Sequence, residues 1–305
     1  MPPLQTHSVQ WQQWGPAVLD LSGDWRSRLA LRFPKRHEGM LEAMAPVAGM
    51  NLTFAASRIG AGGRGPATTR WLLTMEQRAK GKLLRTLARA CARGGRFLDI
   101  GSNIGFYGMV AASLGCTVHF FDVQCACATA VADALLANGL QRHAWVHPVG
   151  VSDQPREFPA EEGYCNGRYP QSPFLEARTA PSYYSSTGRA MPLVELLPMK
   201  KLEADDAPTI AKVDVEGNEL SVLRGLLPYL ERRLIVHLFI EVTTGHGFYA
   251  KLGVSKHDVA ETFVRVMGFG YALTDIRSNA THSVATIRRF FGVSNTQVDF
   301  YLARI

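Results

Sequence analysis

No stretch of the 305-residue chain approaches the ~20 consecutive apolar residues that a membrane-crossing helix requires. A transmembrane segment is therefore not expected. The start, Met1 to Trp14, has no basic region followed by an apolar run, so no signal peptide is read there. Cysteine is scarce as well: five residues, at 91, 116, 125, 127 and 165, with no Cys-x-x-Cys spacing. That argues against a zinc site built on thiolates. The expectation is free thiols packed as small apolar residues in a reducing compartment, and, with neither signal peptide nor membrane span read, a cytoplasmic location. Two sequons, Asn51-Leu52-Thr53 and Asn279-Ala280-Thr281, would matter only in a secreted or lumenal chain. Acidic residues fall short of basic ones, leaving a net charge of +7 and an attraction to anionic partners. Yet basic and aromatic residues do not interleave as in a single-strand-binding platform. Arg85, Arg89 and Arg93 recur at helical spacing and read as a solvated helix face, so nucleic acid is not the expected partner.

What is present is a core-forming composition, 47% hydrophobic, ample for a sizeable interior. The most informative run is Phe97-Leu98-Asp99-Ile100-Gly101-Ser102-Asn103-Ile104-Gly105-Phe106. It reads as a buried strand that ends beside an acid and turns through glycines into a helix, the place where open α/β sheets bind nucleotide ligands. The dinucleotide fingerprint Gly-x-Gly-x-x-Gly is incomplete, because its middle glycine is Asn103. Asp99 ahead of the turn would repel a pyrophosphate but suits a ligand carrying an ammonium and a sulfonium. S-adenosylmethionine is such a ligand. The next strand, Thr117 to Phe121, ends on Asp122, whose two oxygens can accept both ribose hydroxyls. An acid there also serves nicotinamide cofactors, so an NAD-dependent oxidoreductase stays open as an alternative.

Strand and helix alternate along the chain in the βαβ manner, which implies a parallel sheet. A helix is expected from Thr74, with Met75, Ala79, Leu83, Leu87 and Cys91 on one apolar stripe. Strands are expected at Arg96 to Ile100, Thr117 to Phe121, Ala144 to Val149, Thr209 to Val213 and Leu234 to Val242. Helices should run from Phe106 to Leu114 and from Ala126 to Asn138, each closed by a glycine. A further helix follows Glu219, and another spans Lys256 to Met267. Tyr271 to Asp275 and Val298 to Leu302 read as two final strands without a crossover helix, a departure from a dinucleotide fold.

Two regions interrupt this rhythm. Residues 1–70, with Trp11, Trp14 and Trp25 ahead of the glycine-rich Ile59 to Pro66, read as an N-terminal extension. Residues 71–305 form the main domain, with an insertion at 154–206 rich in proline, tyrosine, serine and glycine. A long interruption of this kind inside a compact domain is commonly functional, and a part in gripping an acceptor molecule is expected.

Four blocks resemble the FkbM-type methyltransferases, class I enzymes dependent on S-adenosylmethionine. They are Asp99 to Gly105, Val149 to Asp153, Lys212-Val213-Asp214-Val215-Glu216-Gly217-Asn218-Glu219, and Val298 to Leu302. The resemblance covers Phe97 to the C-terminus. It implies a Rossmann-like class I α/β fold, with a mainly parallel sheet, an antiparallel last strand and helices on both faces. It also implies O-methylation of hydroxyl groups on sugars or secondary metabolites. The residues carried over to the cofactor are Asp99, Gly101, Ser102, Asn103, Gly105, Phe106, Asp122, Val123, Ser152 and Asp153. The chain departs from the family pattern with Phe121-Asp122-Val123 in place of Phe-Glu-Pro, and with Glu241-Val242-Thr243 in place of Glu-Ile-His.

A sugar hydroxyl is a poor nucleophile at neutral pH, so a carboxylate or histidine should take its proton during transfer. Asp214 and Glu216 lead as that pair, since acids at strand ends line the ligand crevice. The competing reading makes Lys212 and Asp214 an internal ion pair and Glu216 an acid at a helix start. Glu241 and the loop histidine His246 are further catalytic candidates. Asp214, Glu216 and Glu241 together suit a magnesium or calcium ion. The basic charge keeps a nucleic-acid-acting methyltransferase or binding module as an alternative; against it stands the absence of an Asn-Pro-Pro-Tyr type of loop after the fourth strand, where Asp214-Val215-Glu216-Gly217 is found instead.

Overall fold

The computed structural model describes residues 45–47, 50–52, 81–160, 165, 186–243, 254–293 and 297–305. The tryptophans of the N-terminal extension, the first turns of the helix expected from Thr74, most of the insertion and His246 lie outside the described residues. Within the extension, β1 (Ala45–Val47) and β2 (Met50–Leu52) form an antiparallel pair.

The main sheet has eight strands. Its parallel part comprises β3 (Arg96–Ile100), β4 (Thr117–Phe121), β5 (Ala144–His147), β9 (Thr209–Val213) and β10 (Ile235–Thr243). The remaining three are β11 (Tyr271–Asp275), β12 (Thr281–His282) and β13 (Gln297–Arg304). Their order is β12-β11-β13-β10-β9-β3-β4-β5. Strand β13 slots between β10 and β11 antiparallel to both, pairing Glu241 with Asp299 on one side and Leu273 with Leu302 on the other. This is the expected mainly parallel sheet with an antiparallel final strand.

The central strands read as nearly continuous apolar runs because helices cover them on both faces. On one face, α1 (Gly81–Cys91), α2 (Phe106–Ser113) and α3 (Cys125–Ala137) bury Leu83, Leu87, Met109, Val110, Val131 and Leu135 against Phe97, Val118, Phe120 and Ile210. Arg85, Arg89 and Arg93 are exposed, as their spacing predicts. On the other face, α6 (Glu219–Glu231) and α7 (Lys256–Gly268) seat Leu223, Leu226, Leu230 and Phe263 on Leu98, Val213, Leu238 and Ile240. Each fully buried side chain of this size contributes about 1.5–3 kcal/mol of transfer free energy, so the sandwich of helices on sheet supplies most of the driving force.

Three expectations are corrected. The last two long strands are not joined by a loop: α8 (Val284–Val293) lies between them and buries Ile287 and Phe291 against the sheet. Of its apolar residues only Ile287 and Phe291 are fully buried, one turn apart, which is too short a stripe to announce a helix by its period. The apolar run from Ala144 is two strands, since after Pro148 the chain leaves the main sheet and β6 (Gly150–Ser152) joins a separate one. There it pairs parallel with β8 (Ser186–Pro192), which pairs antiparallel with β7 (Arg156–Ala160). The chain between that sheet and β9 then forms two short helices, α4 (Leu193–Leu196) and α5 (Met199–Glu203), whose Leu193, Leu196 and Leu202 enter the core.

The third correction concerns the cysteines. Cys91 is disulfide-bonded to Cys116 and Cys127 to Cys165, which leaves Cys125 as the one cysteine outside a disulfide. Partners 25 and 38 residues apart meet only once helices and strands have packed, so no local spacing announces them. Disulfides form and persist in oxidising surroundings, and the free-thiol argument for a reducing compartment falls. No helix among the described residues is long and apolar enough to cross a membrane.

Candidate functional site

The turn after β3 lies at the carboxyl edge of the sheet, where strand-to-helix turns line the ligand crevice. Gly101 and Gly105 adopt left-handed conformations, φ 74° and 78°, and so does Asn103 at φ 51°. An asparagine tolerates that region better than most side chains do, which explains how the chain dispenses with a middle glycine. The missing β-carbons are used by the protein itself. One at Gly101 would stand 1.9 Å from the carbonyl oxygen of Asp214, and one at Gly105 would stand 2.8 Å from Val131. The glycines thus let the loop sink onto β9 and α3.

Asp122 organises this loop. Its Oδ2 accepts the Asn103 N–H at 2.8 Å and its Oδ1 accepts the Gln124 N–H at 2.9 Å. A carboxylate offers about four acceptor positions, so each oxygen keeps capacity for a ligand hydroxyl. Burial pushes the Asp122 carboxyl up to about 6, opposed by those two backbone donors. Ser102 is 5% exposed, and its hydroxyl is buried without a hydrogen-bond partner. An orphaned hydroxyl in a loop of this kind fits a ligand that supplies its partner. Phe106 is buried at the start of α2 in edge contact with Tyr107. Val123, half-buried, packs on Gly150, where a β-carbon would meet it at 2.5 Å. Together these residues suit the ribose and loop contacts of S-adenosylmethionine.

Asp99 is placed differently from the reading that set it against a cationic ligand. It is 1% exposed; its Oδ2 accepts the Gly108 N–H at 2.9 Å and its Oδ1 faces the Lys212 ammonium at 3.8 Å. Burial raises its carboxyl to about 6, with Lys212 pulling the other way. The cation it answers is the protein's own. Ser152 and Asp153 also point elsewhere. The Ser152 hydroxyl donates to the carbonyl of Gln154, while Asp153 accepts from Ser221 of α6 at 2.6 Å and from Arg156 at 2.9 Å. A β-carbon at Gly225 would lie 2.3 Å from the Ser152 carbonyl oxygen, so this segment clamps β6 onto α6.

Asp214 and Glu216 follow directly on β9. Asp214 donates its N–H to Ile100 at 3.0 Å, and its Oδ2 lies 3.3 Å from the Lys212 ammonium. The internal ion pair therefore exists, yet the Asp214 side chain keeps 21% exposure. Glu216 is exposed and left-handed, φ 51°. It does not open the helix; Glu219 does, 2% exposed, with Oε1 accepting the Gly217 N–H at 2.6 Å and Oε2 without a partner. Burial drives the Glu219 carboxyl up to about 8, with Asp214 and Glu216 adding to the rise. Nothing in its sequence position distinguishes this buried acid from a solvated helix-start glutamate.

Glu241, near the end of β10, is half-buried and accepts from the side chain of Gln297. Among the described residues no three histidine, cysteine or acidic side chains are grouped closely enough to share a metal ion. Asp214, Glu216 and Glu241 are thus not brought into one cation site: Asp214 is held by Lys212, and Glu241, on the neighbouring strand β10, is held by Gln297 of β13.

Comparison with known proteins gives the geometry its family. Among solved structures, WbdD is 14% identical over 81% of this chain and 44% of its own, with a TM-score of 0.41. Geranyl diphosphate methyltransferase in complex with S-adenosylmethionine is 12% identical over 83% of this chain and 96% of its own, at 0.38. Precorrin-6y C5,15-methyltransferase of Geobacter metallireducens is 11% identical over 74% and 90%, at 0.34. No curated protein sequence matches the chain. Residues 87–271 match the methyltransferase FkbM domain, a span from α1 to the start of β11 that contains the glycine loop, Asp122 and the turn after β9. The chain belongs to the FkbM methyltransferase family, as an S-adenosylmethionine-dependent methyltransferase.

Proposed function

We propose that the protein methylates a hydroxyl oxygen of a sugar or of a glycosylated or secondary metabolite. The observation behind this reading is the contact between two loops. The turn carrying Asp214 and Glu216 presses on Gly101, with no room for a β-carbon between them. Acceptor carboxylates and donor loop are thereby held at one point of the crevice.

When bound, S-adenosylmethionine supplies a methyl carbon already activated by its sulfonium. The chain's share is binding, alignment and proton removal. Asp122 and the loop from Gly101 to Gly105 hold the donor, with Ser102, Phe106 and Val123 beside them. Transfer needs the acceptor oxygen about 3 Å from the methyl carbon and in line with it, and positioning of that kind supplies much of the rate. Asp214, fixed by Lys212, orients the hydroxyl, while the more exposed Glu216 takes its proton as the new bond forms. Glu241 contributes from the neighbouring strand end. His246, three residues beyond β10 in sequence, is the second candidate base.

The test is transfer of an isotopically labelled methyl group from S-adenosylmethionine into pools of glycans and small metabolites, read by mass spectrometry. A labelled methyl ether supports the reading. Label found only on nitrogen or carbon overturns it.

A further inference from the structure

The Cys127–Cys165 disulfide lies against the donor loop, and the protein's own contacts connect the two. Cys127 and Cys165 are both fully buried and form a small apolar cluster with Ala126, against which Ile104 of the loop packs. The Cys165 sulfur stands 3.1 Å from Asn103 Oδ1. In a disulfide that sulfur carries no proton, so the contact is one of packing. Asn103 is the left-handed residue whose N–H binds Asp122. On the other side, Asp122 holds the N–H of Gln124, which immediately precedes α3, and Cys127 belongs to the first turn of that helix. The disulfide therefore closes a circuit: Asp122 to Asn103, Asn103 to Cys165, Cys165 to Cys127, and α3 back to Asp122.

We infer that this disulfide is a positioning element of the methyl-donor site, so that affinity for S-adenosylmethionine depends on its being oxidised. The inference rests on the assignment of the Gly101 to Gly105 loop to the donor. Physically, Asn103 tolerates its left-handed backbone conformation without being confined to it, so the groups packed around it decide whether the loop stays there. Cys165 is brought against it from a point 38 residues away from Cys127 in sequence, and the covalent bond keeps it there. With the bond open, nothing covalent retains the sulfur against the loop, and Asn103 is released to other conformations. A loop that keeps its binding conformation for about a tenth of the time binds about tenfold more weakly. The second disulfide, Cys91–Cys116, joins the end of α1 to the residue ahead of β4. It lies at the amino ends of the strands, away from the loop, and provides an internal control.

Reduction requires a dithiol. Its thiolate attacks one sulfur of the bridge, its second thiol resolves the mixed disulfide, and Cys127 and Cys165 each leave as a thiol carrying one proton. The two electrons come from the dithiol, which becomes a cyclic disulfide.

The experiment uses Cys91→Ala/Cys116→Ala protein, in which Cys127–Cys165 is the one bridge left, and titrates it calorimetrically with S-adenosylmethionine before and after dithiothreitol. Thiols are counted by alkylation and mass spectrometry, and far-UV circular dichroism follows the fold. The expected result is a dissociation constant about tenfold higher after reduction, restored on reoxidation, with the helical signal unchanged. Cys127→Ala/Cys165→Ala, with Cys91–Cys116 intact, should bind as weakly as the reduced form and ignore dithiothreitol. Equal affinity in both redox states, with the thiols shown to be exposed on reduction, overturns the inference and leaves the donor assignment standing. Absence of binding in the oxidised protein overturns both.

Discussion

A β-carbon at Gly101 would stand 1.9 Å from the carbonyl oxygen of Asp214, so the donor loop and the acceptor turn touch backbone to backbone. Gly101 also has φ 74°, a region that side chains rarely adopt. Gly101→Ala must push the two loops apart. It should cost on the order of 3 kcal/mol or more of stability, seen as a lowered melting temperature. Any folded protein should bind S-adenosylmethionine poorly by calorimetry. Near-normal binding and stability would show that the loops can separate without consequence.

Asp122→Ala removes the acceptor that organises Asn103 and Gln124 and that is proposed to hold the ribose. Charge-assisted hydrogen bonds are worth about 1.5–3 kcal/mol each, so the dissociation constant for S-adenosylmethionine should rise about 10-fold to 100-fold. The circular dichroism spectrum should stay native. In the unmodified protein the Asp122 carboxyl is raised to about 6 by burial. Cofactor affinity should therefore weaken as pH falls below 6 and protonation removes acceptor capacity. Flat affinity from pH 8 to 5 would disconnect Asp122 from the donor.

Glu216→Ala should leave cofactor affinity intact, because the residue is exposed and is proposed to serve the methyl acceptor. Turnover with the methyl acceptor should drop by about 100-fold or more, the usual scale of a positioned general base. Asp214→Asn should impair both turnover and stability, since it strips the Lys212 ammonium of a partner at 3.3 Å. Normal turnover of Glu216→Ala would move the base elsewhere, with His246 the next variant to make.

Glu219 gives a pH signature of the opposite kind from an ordinary surface acid. Its carboxyl is raised in the folded chain from 4.5 to about 8 by burial. A raised folded value means that stability is fully present below 4.5 and is lost as pH climbs through about 8. The loss should amount to a few kcal/mol, since each tenfold change in proton affinity between the unfolded and folded chain corresponds to about 1.4 kcal/mol. Glu219→Gln keeps an acceptor for the Gly217 N–H and cannot ionise. Urea unfolding at pH 6 and pH 9 should show the variant gaining on the parent at the higher pH. An equal difference at both would mean that the carboxyl reaches water.

Much of this was legible from local pattern. Strand limits at Arg96 to Ile100, Thr117 to Phe121 and Thr209 to Val213 follow from short apolar runs closed by glycines or acids. The family likewise lies in contiguous residues, Asp99 to Gly105 and Lys212 to Glu219. Helix α8 escaped because only Ile287 and Phe291 are fully buried along it.

What the sequence alone determined is whatever neighbours in the chain decide together: the alternation of strand and helix, the left-handed turn at Gly101 and Gly105, the acids that end the strands, and hence the family. What only the tertiary structure decided is which distant groups meet. Asp99 faces Lys212, Glu219 loses its water, and Cys165 closes on Cys127 beside Asn103, because solvent exclusion and contact belong to the packed assembly and to no single stretch of chain.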